Sequence, residues 1–295
     1  MLDSAMAPEL FLRRIREEFP EITWNTYRHL THGWDHAVMI LDEALVFRAP
    51  KAPVCPDEVE NEAGLLRYLE RRLEVGIPRY IHQAADGSFG GYRLLPGREL
   101  DPDTFRGLSA EEREVVAEQL AAFLTSMHET PKSVARRYNV PEEDAPKDYG
   151  DLVRETEEHV VPRLAPEESQ TVGAFLTELA GELEQRHPTG LLHGDLSGEH
   201  IFWDARTRQI SIIDFSDRMI GDPAVDFAGL LAYGDEFTER VLEDYGGPAD
   251  EGTLRRARLY FKRTALETMV DSLQGYPCTF EQGYAEFQER FQRHR

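Results

Sequence analysis

The sequence predicts an α+β protein made of a small antiparallel sheet followed by a larger, mainly helical part. Two observations lead to this prediction. Short β-forming runs separated by turn residues fill the first third of the chain, and apolar residues at helical spacing dominate the rest. The dipeptide Pro96-Gly97 separates the two regions. We therefore expect an N-terminal lobe of residues 1–95 and a C-terminal lobe of residues 96–295.

The N-terminal lobe is expected to contain five antiparallel strands and one or two helices. Apolar side chains share one helical face in residues 8–19 and again in residues 57–73. Asp42-Glu43 and Asp86-Gly87 are typical of tight turns between neighbouring strands. The strands are predicted at residues 23–32, 36–41, 44–49, 79–83 and 90–95.

Helices dominate the predicted C-terminal lobe. Ser109, with Glu112 three residues later, forms a capping box that starts a helix over residues 109–128. Residues 131–147 are polar and interrupted by proline, which indicates a loop or mobile insert. Asp222-Pro223 opens a helix, because proline is favoured at the first helical position. Further helices are predicted over residues 148–161, 166–187, 235–245, 250–273 and 280–295, and a loop with a hairpin at residues 191–215 interrupts them.

The overall charge limits the classes of partner. There are 55 acidic residues against 33 basic ones, a formal net charge of -22, which repels nucleic acid and anionic membranes and attracts cations. The charge fits either solubility or a cationic substrate. No apolar run approaches the roughly 20 residues of a membrane span, no secretory signal is visible, and Cys55 and Cys278 cannot form a disulfide framework. We expect a cytoplasmic monomer.

The residues with the clearest chemical meaning lie in the loop and hairpin. Asp195 follows an apolar strand, His200 comes five residues later, and Asp214 ends the next strand. Phosphoryl transfer requires a carboxylate that orients the attacking hydroxyl and accepts its proton, together with ligands for the metal that bridges the phosphates. This spacing is that of a kinase catalytic loop. It predicts Asp195 as the base and His200 and Asp214 as ligands of Mg²⁺, although magnesium prefers oxygen to imidazole.

Three segments carry a resemblance to a known family: His193–His200 (HGDLSGEH), Ile213–Phe215 (IDF) and Gly221–Phe227 (GDPAVDF). They resemble the aminoglycoside phosphotransferases, a bacterial branch of the protein-kinase-like fold, and His200 with the preceding Ser-Gly-Glu is most similar to the 2″-phosphotransferase subgroup. The resemblance covers nearly the whole chain in element order. It implies a two-lobed protein-kinase-like fold, with Asp226 as a structural brace of the catalytic loop.

The resemblance also implies nucleotide-binding roles in the N-terminal lobe. Gly33 would lie in the loop that covers the phosphates. Arg48 occupies the place of the usual phosphate-binding lysine, a departure that keeps the positive charge and allows bidentate contacts. Glu62 would pair with this cation.

The connection between the lobes would recognise the purine through its backbone groups. It comprises Tyr92, Arg93, Leu94 and Leu95. In the resembling subgroup a bulky aromatic residue at the position of Tyr92 narrows the pocket and favours GTP over ATP. The alternative is that Tyr92 is simply a core residue of its strand.

An acidic cleft near Asp195 would bind the acceptor. The residues that match it in position are Asp235, Glu236 and Glu239, whose carboxylates could form charge-assisted hydrogen bonds with a polyamine sugar. Acidic residues in the first turn of a helix are also favourable to its dipole, so these residues have an alternative explanation.

The sequence therefore predicts a phosphotransferase that moves the γ-phosphate of GTP or ATP to a hydroxyl of a small cationic molecule, with Mg²⁺ as cofactor. An aminoglycoside is the expected acceptor. A macrolide phosphotransferase and a kinase for a small metabolite are alternatives within the same fold. A catalytically inactive nucleotide-binding module is the alternative from another class.

Overall fold

A computed structural model describes residues 7–30, 36–51 and 57–292 of the 295-residue chain. Gly33, which is expected in the loop that covers the phosphates, and Cys55 lie outside these residues. The N-terminal lobe consists of two helices and five strands, which are α1 (Pro8–Glu18), β1 (Tyr27–Leu30), β2 (His36–Leu41), β3 (Leu45–Pro50), α2 (Glu58–Leu69), β4 (Tyr80–Gln83) and β5 (Gly90–Arg93).

These five strands form one antiparallel sheet in the order β1-β2-β3-β5-β4. Successive side chains of β3 point to opposite faces. Phe47 packs with Phe11 and Ile15 of α1, whereas Val46 belongs to the core that includes Leu66 of α2. Arg48, two residues after Val46, therefore lies on the face of α2.

The C-terminal lobe is mainly helical and contains five short strands. Its first half comprises β6 (Arg98–Glu99), α3 (Pro102–Arg106), α4 (Ala110–His128), α5 (Lys132–Arg137), α6 (Ala145–Glu155) and α7 (Pro166–Leu183). Its second half comprises β7 (Gly190–Leu192), β8 (Ile201–Asp204), β9 (Gln209–Ile212), β10 (Met219–Gly221), α8 (Ala224–Leu230), α9 (Asp235–Asp244), α10 (Thr253–Gln274) and α11 (Phe280–Gln292).

The short strands position the segments that carry the predicted chemistry. β8 and β9 form an antiparallel hairpin, and β10 pairs with β7. The loop 193–200 leaves β7 and enters β8, and Asp214 follows β9. The loop 193–200 and the segment of Asp214 therefore lie close together, although they are separated in sequence.

The predicted fold class is confirmed, while two details of the C-terminal lobe differ. Residues 131–147 are not a loop throughout, because α5 lies within them and α6 begins at their end. α5 has only six residues, too few for a helical period to be visible in the sequence. Among the described residues, no helix combines the length and apolar character needed to cross a membrane.

Candidate active site

The loop of residues 193–200, here called the catalytic loop, requires glycine at its second position. Gly194 has a φ of +91°, in the left-handed region that glycine adopts without steric cost. A Cβ added to Gly194 would lie 2.0 Å from the carbonyl oxygen of Asp217. The catalytic loop therefore packs directly against the segment that follows Asp214.

The start of the catalytic loop is anchored by Asp226, which is fully buried on α8. Its carboxylate accepts hydrogen bonds from the amides of His193 and Gly194, both at 2.8 Å, and from Nε2 of His128 at 2.9 Å. Burial acts to raise the pKa of Asp226, but the hydrogen bonds from His128 and the Gly194 amide and the charges of His128 and His193 together outweigh it, and the pKa is lowered. The ionised carboxylate thus fixes the backbone at the start of the catalytic loop.

His193 is buried and connects the two segments that converge here. Its Nε2 donates to the carbonyl oxygen of Ile213 at 2.9 Å, and its Nδ1 accepts from the amide of Asp195 at 3.3 Å. Burial lowers the pKa of His193, so the ring is neutral. It links the residue before Asp214 to the backbone of Asp195.

The structure brings Asp195, His200 and Asp214 together as the sequence predicts. Asp195 has a side chain 51% exposed, and its carboxylate lies 3.4 Å from Nδ1 of His200. Nδ1 also lies 2.7 Å from the carbonyl oxygen of Asp195, which can only accept, so Nδ1 carries the proton. Nε2 of His200 is the ring nitrogen that the neutral ring would offer to a metal, and it lies 4.0 Å from Oδ2 of Asp214.

This pair of atoms suits a magnesium ion that is held mainly by phosphates and water. Among the described residues, no group of three or more His, Cys, Asp and Glu side chains is arranged to hold a metal. Magnesium typically takes only one or two protein carboxylates, together with substrate phosphates and water. Oδ2 of Asp214 and Nε2 of His200 face each other, so the donor set fits a metal that arrives with the nucleotide.

Arg48 is 4% exposed and contacts two carboxylates, those of Glu62 and Asp214. Its Nη1 lies 3.4 Å from Oε1 of Glu62, and its Nη2 lies 2.5 Å from Oδ1 of Asp214. The planar guanidinium presents several N–H donors, so one arginine reaches both. Burial acts to raise the pKa of Asp214, but the charge of Arg48 lowers it well below its usual range.

Two further side chains complete this network, and the sequence reasoning missed both. Ser216 donates to Oδ1 of Asp214 at 2.7 Å, and Nδ1 of His36 lies 3.2 Å from Nη2 of Arg48. Burial lowers the pKa of His36 to about 3, so it accepts this hydrogen bond as a neutral ring. Ser216 could have been found from its place two residues after Asp214. His36 is identified only by the pairing of β2 with β3.

The predicted purine-binding connection leaves β5 at the edge of this network. Tyr92 is 4% exposed and contacts Tyr80 edge-to-face with ring centroids 5.4 Å apart. Burial raises the pKa of Tyr92 to about 12. Arg93 is exposed and Leu95 is half-buried, while the amide of Leu94 donates to the sheet at 2.8 Å. The Leu94 amide is therefore not available to a purine.

The acidic residues predicted to bind the acceptor lie at the start of α9, and two of them already have a cationic partner. Arg258 of α10 donates to Asp235 at 2.7 Å and to Glu239 at 3.0 Å. Glu236 is exposed. A cationic acceptor at this helix would have to share Asp235 and Glu239 with Arg258.

A second group of acidic residues, not predicted from the sequence, lies beside the catalytic loop. A cavity of about 190 Å³ adjoins Gly194, and its charged lining residues are Glu143, Glu267 and Arg263, the last of which pairs with Glu267 at 3.1 Å. Asp271 lies one turn beyond Glu267 on α10. Burial, with a further contribution from Glu267, raises the pKa of Asp271 to about 6. These residues come from elements more than 100 positions apart, so no local sequence pattern identifies the group.

Several known proteins are similar to this chain over most of its length. Viomycin phosphotransferase of Streptomyces vinaceus is 31% identical over 268 residues, covering 83% of this chain and 90% of that protein. The solved GDP and kanamycin complex of APH(2″)-IIIa is 26% identical, with a TM-score of 0.87 over 97% of this chain and 99% of that one. The GDP complex of wild-type aminoglycoside 2′-phosphotransferase-IIIa is 25% identical, with a TM-score of 0.86 over 97% and 99%.

The family model for the phosphotransferase enzyme family matches residues 26–260. This span includes β1 to β5, the catalytic loop and Asp214. The chain belongs to the aminoglycoside phosphotransferase (APH) family of phosphotransferase enzymes.

Proposed function

We propose that this enzyme transfers the γ-phosphate of GTP or ATP to a hydroxyl group of a small cationic acceptor, an aminoglycoside in the first instance. The observation that supports this most directly is the arrangement of Asp195, His200 and Asp214. A half-exposed carboxylate stands next to two potential metal ligands, and Arg48 adjoins one of them. Phosphoryl transfer requires a carboxylate for the acceptor, ligands for a metal and a cation beside the phosphates.

Asp195 is placed to orient the acceptor and to accept its proton. Its side chain is open to solvent on one side, while its backbone is fixed through His193 and Asp226. A hydroxyl that donates to this carboxylate is aligned for attack, and the carboxylate takes the proton as the new bond forms. When bound by His200 and Asp214, Mg²⁺ would neutralise charge on the phosphates. Arg48 would provide a fixed positive charge beside them.

The acidic cavity beside Gly194 supports a cationic acceptor. Its volume of about 190 Å³ is below the roughly 300–1,000 Å³ of ordinary ligand pockets, so it would receive one ring of a larger molecule. Glu143 and Glu267 would bind ammonium groups by charge-assisted hydrogen bonds, and the acceptor would share Glu267 with Arg263, which lies 3.1 Å from it. Asp235, Glu236 and Glu239 on α9 are the second proposed site for the acceptor.

A panel of acceptors tested with both nucleotides decides the proposal. We expect phosphorylation of kanamycin or gentamicin, with kcat/KM higher for GTP than for ATP if Tyr92 restricts the purine pocket. Turnover only with macrolides or small metabolites would reject the aminoglycoside assignment. Nucleotide binding without turnover on any acceptor would support an inactive module instead.

A second acceptor deserves a place in the same panel because of a specific similarity. The relative named viomycin phosphotransferase is 31% identical to this chain, more than the 26% of the kanamycin-bound neighbour. We propose viomycin as the second candidate. Comparing kcat/KM for viomycin and kanamycin under identical nucleotide and Mg²⁺ concentrations distinguishes the two.

A further inference from the structure

Arg218 is a buried cation that links the two lobes and has no role in the site described above. It lies four residues after Asp214, at the end of the segment that enters β10, and is 2% exposed. Its Nη2 lies 2.7 Å from Oε1 of Glu58, and its Nη1 donates to the carbonyl oxygen of Phe215 at 2.9 Å. Its Nη1 also lies 3.9 Å from Oε2 of Glu62.

The two carboxylates that face Arg218 are one turn apart on α2. Glu58 and Glu62 are separated by four positions, so they share one face of the helix. A guanidinium remains charged in proteins and is costly to bury without partners. Arg218 therefore holds α2 of the N-terminal lobe against the segment of the C-terminal lobe that contains Asp214.

Glu62 is held from two sides by this arrangement. One carboxylate oxygen contacts Nη1 of Arg48 at 3.4 Å and the hydroxyl of Tyr80 at 3.0 Å. The other oxygen faces Arg218. The orientation of Glu62, and through it that of Arg48, thus depends on a residue of the other lobe.

The same segment also contacts the catalytic loop. The carbonyl oxygen of Asp217, next to Arg218 in the chain, is where Gly194 makes its close approach. Arg218 therefore connects α2 to a segment whose next residue, Asp217, packs against the catalytic loop.

We propose that Arg218 is a positioning residue for nucleotide binding, which sets the place of α2 so that Glu62 holds Arg48 in register with the phosphates. The proposal rests on the proposed nucleotide-dependent function. It differs from a merely structural role in predicting a specific loss of phosphate binding. A merely structural role predicts a lower thermal stability with unchanged affinity of the folded fraction.

The test is calorimetric titration of Arg218→Met with GDP, GTP and guanosine in the presence of Mg²⁺. Removing one partner of a buried charge pair typically has a large effect, so we expect Kd for GDP and GTP to rise by about tenfold or more. Kd for guanosine should change by less than about twofold, because guanosine lacks the phosphates that Arg48 is proposed to bind. Arg218→Lys keeps the charge and should restore part of the affinity.

Arg79→Met is the matched control. It removes an exposed ion pair between Arg79 and Glu70, 3.3 Å apart beyond the C-terminal end of the same helix, so it should leave all three Kd values unchanged. If Arg218→Met does not fold, Glu58→Gln replaces it, with an expected rise in the Kd of GTP of about threefold. Unchanged affinity for GTP in a folded Arg218→Met, or in Glu58→Gln where that variant decides, overturns the proposal.

The outcome does not depend on the identity of the acceptor. Titration with nucleotide requires no turnover, so a failed acceptor panel leaves this test intact. Conversely, an enzyme that phosphorylates kanamycin while Arg218→Met binds GTP normally would retain its proposed function and lose only the role given to Arg218.

Discussion

The proposed nucleotide side of the catalytic loop, which contains Arg48, Glu62 and Asp214, and its proposed acceptor side differ in how their charges are satisfied. On the nucleotide side, Arg48 is buried and contacts Glu62 and Asp214 within 3.4 Å. On the acceptor side, Glu239 and Asp195 have side chains about half exposed. The comparison shows one group of charges that is buried and internally paired and another that is open to solvent. This difference is what we expect if the first binds phosphates, which are the same in every turnover, and the second binds a larger, polar molecule. The predictions below test this difference.

Removal of the Asp195 carboxylate should have the largest effect on turnover. Asp195→Ala eliminates the group that orients and deprotonates the acceptor, so kcat should fall by about 10²–10⁴-fold. The Kd of GTP should change little, because Asp195 does not belong to the network of Arg48, Glu62 and Asp214 that is proposed to bind the nucleotide. Steady-state kinetics and calorimetry on the same preparation measure both quantities. A variant that retains its turnover would show that Asp195 is not the base.

Disrupting the nucleotide side should come next. Arg48→Met leaves Glu62 and Asp214 without their shared partner, which for buried pairs costs about 3–5 kcal/mol of stability. We expect a lower Tm and a Kd for GTP raised by more than about tenfold. Arg48→Lys restores the charge but contacts fewer groups, so its affinity should be intermediate. Equal affinity in Arg48→Met and the unmodified enzyme would refute a pre-formed phosphate site.

Single substitutions on the acceptor side should have smaller effects on KM for kanamycin. Glu267→Gln removes one carboxylate of the cavity. KM for kanamycin should rise by about threefold to tenfold, which is typical of the loss of one charge-assisted hydrogen bond. Glu239→Gln is the matched change on α9, because each of the two carboxylates has an arginine partner, Arg258 for Glu239 at 3.0 Å and Arg263 for Glu267 at 3.1 Å. A larger effect for Glu239→Gln than for Glu267→Gln would place the acceptor at α9.

The smallest expected effect is on the pH dependence of stability. Burial and Glu267 raise the pKa of Asp271 from 3.8 to about 6. A carboxyl group with a raised folded-state pKa stabilises the fold at low pH, and this contribution is lost as the pH rises through 6. Asp271→Asn should therefore have a higher Tm than the unmodified protein above pH 6 and the same relative stability below about pH 4. Thermal denaturation at a series of pH values measures this difference, and a Tm difference independent of pH would contradict it.

Much of the fold was predictable because its signals are local. The strands β2 and β5, the capping box of Ser109 and the helix α10 follow from periodicity and turn residues within 10 to 20 positions. The six-residue helix α5 was missed because it is shorter than two turns. The catalytic loop was identified because the spacing of Asp195 and His200 is itself a local pattern.

The sequence alone determined the class of the fold and most of its elements, and it supplied the three residues, Asp195, His200 and Asp214, on which the proposed chemistry depends. Tertiary structure decided which charges meet. Arg218 and Glu58 are 160 positions apart, Arg48 and Asp214 are 166 apart, and Arg258 reaches Asp235 from another helix. The physical reason is that a side chain's type limits what it can bind, whereas its partner depends on how distant elements pack.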